Sequence, residues 1–243
     1  MSIVESSESQ ESPETQDEQQ VVRPYYAHSA LFSGFARMRH MWKIAIPVVV
    51  VNAVGQALLI IPSPPTGISA LFLLTVVISA VVLLASAALI QAASIEGALA
   101  HTTWTAVMHR VRTSGARFSI AIVALALLVV IGMLASPWLG LVIAAVCCFV
   151  TLAAMDGAPN PVTANFRTIA ARPLRWAVTM VIIGAIALVL WLLLAVNWFF
   201  IPTPVGSFIA TTVCGIVTWW WSNSLALIYL SAKSARTDAS VES

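Results

Sequence analysis

Residues 155 to 176 read MDGAPNPVTANFRTIAARPLRW, from Met155 to Trp176. The stretch opens on an acid beside a glycine, Asp156-Gly157-Ala158, where a long apolar run ends. A near copy, Ile95-Glu96-Gly97-Ala98, ends an earlier apolar run. After each copy a basic segment of about 20 residues leads through an aromatic, Phe118 or Trp176, into the next apolar run, the pattern of a connector at a membrane surface. The stretch therefore reads as a hinge between apolar hairpins.

Composition supports that reading. Of the 243 residues 60% are hydrophobic and 9% charged, against about a quarter charged in soluble domains. The chain is a membrane protein by this measure. The net charge of +2 hides an asymmetry. Glu5, Glu8, Glu11, Glu14, Asp17 and Glu18 crowd the first 20 residues, which hold no Lys or Arg, and the remainder is strongly basic. Because those bases flank apolar spans, membrane lipid with anionic headgroups is the expected partner, and nucleic acid is not. Cys147, Cys148 and Cys214 lie inside apolar runs and read as small packing residues, neither a disulfide framework nor a zinc site. The acidic amino terminus lacks the basic start of a signal peptide.

Residues 1–24 are too polar to bury a core and read as a disordered acidic cytoplasmic tail, residues 25–232 as a six-span membrane domain, and residues 233–243 as a short cytoplasmic tail. Leu31, Phe35, Met38 and Trp42 recur at helical spacing with Ser33, Arg37 and His40 opposite, which predicts an amphipathic helix on the membrane surface over 29–42. A first span follows over 44–61, with Pro47 in its first turn. Asn52 and Gln56 share one face of it. The uncharged turn from Ile61 to Gly67 leads to a second span over 68–94, after which Glu96 is expected to pair with an arginine or to begin a surface helix. Trp104, Val107, Met108 and Val111 predict a second surface helix. Spans over 118–136 and 141–155 flank the turn Pro137-Trp138-Leu139-Gly140. In the third surface segment Val162, Phe166, Ile169 and Ala170 share a face, with Asn165, Thr168 and Arg172 opposite. The fifth span covers 177–200. The turn from Ile201 to Gly206 echoes that from Ile61 to Gly67 and suggests three related hairpins. In the sixth span, over 207–230, Ser207, Thr211 and Gly215 lie four apart and predict close helix packing. Trp219, Trp220 and Trp221 point three ways around that helix, which suggests either an interfacial anchor or a grip on lipid or partner.

All twelve bases fall in alternate connectors or at the ends of the chain. The fold class is therefore all-α: a polytopic bundle of six transmembrane helices in three hairpins, with amphipathic inner-surface helices. The positive-inside rule puts both termini in the cytoplasm and the chain in the plasma membrane. Arg37, Arg39, Arg110, Arg112, Arg167, Arg172 and Arg175 are the candidate headgroup contacts.

A search for chemistry returns no nucleophile with its base, no phosphate-binding glycine loop and no metal-ligand spacing, so neither cofactor nor metal is expected. His28, His40, His101 and His109 lie among bases in surface segments. The run Asp156, Gly157, Pro161, Arg167, Ala170, Ala171, Arg172, Trp176 and Ala177 resembles a group of bacterial six-span membrane proteins of undefined function. It is also similar to the membrane domain fused to some glycerophosphodiester phosphodiesterases. The likeness spans residues 28–232, leaves no room for the soluble phosphodiesterase domain, and implies no catalytic residues.

The expected function is non-enzymatic: a lipid-contacting scaffold or accessory subunit of a membrane complex, with a membrane-protein partner or a second copy of itself. The alternative is a permease for a small apolar or amphiphilic solute, with Asn52, Gln56, Asn197 and Asn223 as the polar path. An enzyme acting on lipid would instead need Glu96 or Asp156 beside His101 or His109.

Overall fold

The computed structural model describes residues 30–60, 69–99, 103–200 and 204–241. Within them the chain forms α1 (Ala30–Ile60), α2 (Ala70–Ala98), α3 (Trp104–Ala135), α4 (Pro137–Val146), α5 (Val150–Met155), α6 (Pro161–Ala171), α7 (Pro173–Phe200) and α8 (Pro204–Val241), with no strand among the described residues. Six stretches are long and apolar enough to cross a bilayer, α4 and α5 together making the fourth. Helix is the physical answer to this composition, because a backbone group in hydrocarbon has no water to bond and must find its partner within its own segment. The chain is thus a multi-pass, all-α membrane protein.

Local signals set the helix starts. Ser69, Thr103 and Asn160 are N-caps whose side-chain oxygens accept from Phe72, Ala106 and Thr163 backbone N–H groups at 3.1, 3.3 and 3.0 Å. Proline opens α4, α6, α7 and α8, at the position where a missing N–H costs no intrahelical bond.

Two of the three predicted surface helices are not separate elements. Residues 31–42 are continuous with the first span in α1, and residues 104–117 with the third in α3. No proline or glycine pair breaks either junction, so helix propagation carries through. Pro47 sits inside α1 rather than at a start. The third surface segment is a discrete helix, α6, whose polar face turns into the protein. Asn165 and Thr168 are fully buried, while Val162 and Phe166 are half exposed. The polar face has partners to bond inside the protein, and the apolar face is left for lipid.

The core lies at one end. Residues 92–98 of α2, 150–155 of α5 and 222–229 of α8 are buried on every side. The opposite halves present Leu71 to Leu83, Ile120 to Leu134 and Val205 to Ile216 outward, as lipid-facing surfaces do. The central element is α8, which packs on α1, α2, α5, α6 and α7. That placement corrects the reading of the tryptophan triplet: Trp219 is buried, and Trp220 and Trp221 pack against the same core. A helix surrounded on all sides has a pocket for each of three directions.

Candidate functional site: a charged node and a basic rim

The packed end is organised by the two acid-glycine pairs. At the end of α2, Glu96 accepts from Nε of Arg110, which stands two turns into α3. The same guanidinium reaches the end of α5, where Nη1 donates to Asp156 Oδ1 at 3.2 Å. Asp156 Oδ2 accepts from the Tyr229 hydroxyl at 3.1 Å and from Lys233 Nζ at 2.7 Å, both on α8. Both carboxylates are almost fully buried, and Arg110 is only 18% exposed. A charge removed from water in this way persists only when paired and hydrogen-bonded. Four elements, α2, α3, α5 and α8, are pinned at one point.

The glycines after the two acids are held in parallel fashion. Arg37 of α1 donates to the Gly97 carbonyl at 2.8 Å, and Arg117 of α3 to the Gly157 carbonyl at 3.4 Å. At Gly97 the need is space, since an added Cβ would run into the Met41 side chain. At Gly157 it is conformation: φ is +78°, where a Cβ meets the following carbonyl.

The stretch from Met155 to Trp176 also repairs a defect in the fourth span. Between α4 and α5 the helix breaks at 147–149. Asn165 Oδ1 accepts from the Phe149 N–H at 3.0 Å, and its Nδ2 donates to the Val146 carbonyl at 2.8 Å. Trp176 Nε1 donates to the Ala145 carbonyl at 3.1 Å. The hinge is therefore an internal brace. An open depression beside it is lined by Ala158, Pro159, Asn160, Thr163, Ala164 and Arg167.

The seven candidate headgroup arginines separate into groups. Arg110 belongs to the node and Arg37 is bonded to Gly97, so both are structural as well as cationic. Arg39, Arg112 and Arg167 are exposed, each near an anchored neighbour: Arg39 two residues past Arg37, Arg112 two past Arg110, and Arg167 on the depression next to Ala158. With exposed Arg117 they make up a basic rim, four exposed bases on the chain segments that hold the node. Arg172 and Arg175 are half-buried at the α6–α7 junction. Phe35, Trp42, Trp104 and Phe166 are exposed in the same segments.

Of the packing residues, Gly215 meets Val49 of α1, with an ideal Cβ only 2.8 Å from Cγ1, while Ser207 and Thr211 are half-buried. Gln56 is joined to α2, donating to the Ser79 carbonyl at 3.3 Å and accepting from its hydroxyl at 2.8 Å. Asn52 and Asn223 are buried, and among the described residues Oδ1 of the first and Nδ2 of the second have no partner. The side chain of Asn197 lies outside the described residues, as do His28, His101, the acidic tail and the turns at 61–67 and 201–203. His109 is exposed, and among the described residues no three His, Cys, Asp or Glu side chains gather to hold a metal. The three cysteines are free thiols.

Sequence reasoning missed Tyr229 and Lys233, the latter counted with a solvated tail. Their signal was positional: each lies within one turn of the fully buried end of α8. Comparison with family models, curated proteins and solved structures finds no match.

Proposed function

We propose that this protein is a lipid-contacting scaffold or accessory subunit of a membrane complex, without enzymatic chemistry of its own, in the plasma membrane with both termini cytoplasmic. The observation that carries the reading is the division of charge at the packed end. Glu96 and Asp156 are consumed by Arg110 and Lys233, so Arg39, Arg112, Arg117 and Arg167 face outward with no carboxylate among the described residues to neutralise them. Exposed aromatics stand in the same segments. Arginine beside tryptophan and phenylalanine is the composition that favours the headgroup level of an anionic leaflet. The node fixes the rim rigidly, as a scaffold requires.

Replacing Arg39, Arg112 and Arg167 together by Gln tests this. Copurifying anionic lipid and any crosslinked membrane partner should both fall; recovery of both at wild-type level would overturn the proposal.

A second reading, a permease for a small amphiphilic solute, draws support from Asn52 and Asn223, whose unpartnered amide atoms offer polar contacts inside the bundle. Solute flux in reconstituted vesicles, abolished by Asn223→Leu, would favour it over the scaffold.

A further inference from the structure

We infer that the basic rim is a docking surface for the acidic amino-terminal segment of this same chain, residues 5–18. The contact stands on charge and reach. The regulatory consequence, that the segment competes with anionic lipid for the rim, rests on the lipid-contact reading above.

The rim is an unsatisfied cationic surface because its nearest acids are already committed. Asp156 is shared among Arg110, Lys233 and Tyr229, and Glu96 is bound to Arg110. Arg39, Arg112 and Arg167 are exposed, and among the described residues none has a carboxylate partner. The complementary charge exists in this chain. Glu5, Glu8, Glu11, Glu14, Asp17 and Glu18 are six acids in a segment without a single base.

Connectivity allows the contact. Between Glu18 and Leu31 lie enough residues to reach about 40 Å when extended, more than the roughly 30 Å across a small domain. The connection enters α1 just before Arg37 and Arg39. Tethering makes the encounter intramolecular and raises the local concentration of the acids at the rim far above that of any free anion. An anionic leaflet, by contrast, repels the segment and attracts the rim, so segment and lipid headgroups compete for the same bases.

The test uses the full chain in nanodiscs. A photo-crosslinking residue replaces Ser12, which keeps all six acids. In nanodiscs of neutral lipid, crosslinks should map to peptides containing Arg112 or Arg167. They should be lost when the six acids are changed to Gln and Asn, and lost in about 1 M salt, where the screening length is about 3 Å. Nanodiscs containing phosphatidylglycerol should lower the yield, and the neutralised segment should raise anionic lipid retention. Crosslinks confined to residues 20–30, or unchanged by neutralisation, overturn the docking. The lipid arm reads separately. Docking with lipid retention unaffected by Arg39→Gln, Arg112→Gln and Arg167→Gln upholds the contact and defeats the lipid reading. Retention that falls with those arginines but ignores the acidic segment, without crosslinks, does the reverse.

Discussion

Arg110 and Asp156 lie 46 positions apart in the chain and 3.2 Å apart in the fold, with Glu96 on the other side of the same guanidinium. One side chain thus ties the end of the first hairpin to the end of the second. Arg110→Ala should therefore cost about 3–5 kcal/mol, because it strands the buried Glu96 carboxylate and leaves Asp156 to Lys233 and Tyr229 alone. Arg110→Lys should recover only part, since a single ammonium cannot fork to two acids on different helices. Adding Glu96→Gln to Arg110→Ala should restore much of the loss, since Asp156 keeps Lys233. Thermal unfolding in detergent reads all three, and an Arg110→Ala protein that melts with the wild type would remove the node from any structural role.

The brace at the broken fourth span makes a second prediction. Among the described residues Asn165 alone satisfies the Phe149 N–H and the Val146 carbonyl, and its side chain is fully buried. Asn165→Leu should destabilise by about 1–3 kcal/mol for each group left unpaired. Asn165→Asp keeps the acceptor and loses the donor, so its effect should be no smaller. The N-cap substitution Asn160→Ala, at an exposed position in the same segment, should cost only about 1 kcal/mol. Equal melting shifts for Asn160→Ala and Asn165→Leu would show that the break does not depend on the brace.

How much of this was written in the sequence divides along physical lines. Hydropathy is a property of whole segments, so six spans and the helical class follow from it, and the acid-glycine pairs at 95–98 and 155–158 mark the ends that meet. The pairing of Glu96 with an arginine followed from the penalty on a carboxylate at a helix end. The burial of the polar face of α6 did not follow. The stripe separates Asn165 and Thr168 from Val162 and Phe166, but nothing in it says that the broken fourth span lies within reach of Asn165. Nor did the node's reach to α8, because Lys233 lies at the charged edge of a tail and only the packing of α8 at the centre brings it to Asp156.

Two glycines separate conformational need from mere tolerance. Gly157 has φ of +78° and closes the turn after Asp156, so Gly157→Ala should destabilise by about 1–2 kcal/mol. Gly184 lies within α7, where an added Cβ meets nothing within 4 Å. Gly184→Ala should be neutral or stabilise by up to about 1 kcal/mol, from helix propensity alone. Melting temperatures of the two variants should therefore move in opposite directions. A drop for Gly184→Ala would indicate that this face of α7 packs against a partner, which a scaffold would supply.

The buried amides distinguish glue from path. Gln56 and Ser79 exchange two hydrogen bonds between α1 and α2, so Gln56→Leu and Ser79→Ala should each cost about 0.6–1.7 kcal/mol and the double variant little more, as expected for one shared interhelical interaction. Asn52 and Asn223 each carry a buried polar atom with no partner among the described residues. In a dry bundle such an atom is a net cost, and replacing it by an apolar group of similar size removes about 1–3 kcal/mol of desolvation penalty. Asn52→Leu and Asn223→Leu should then raise the melting temperature while Gln56→Leu lowers it. If Asn223→Leu instead lowered stability, and the wild type were further stabilised by an added amphiphile that the variant ignores, the amide would be holding an occupant. The central helix α8 would then line a passage rather than fill a core.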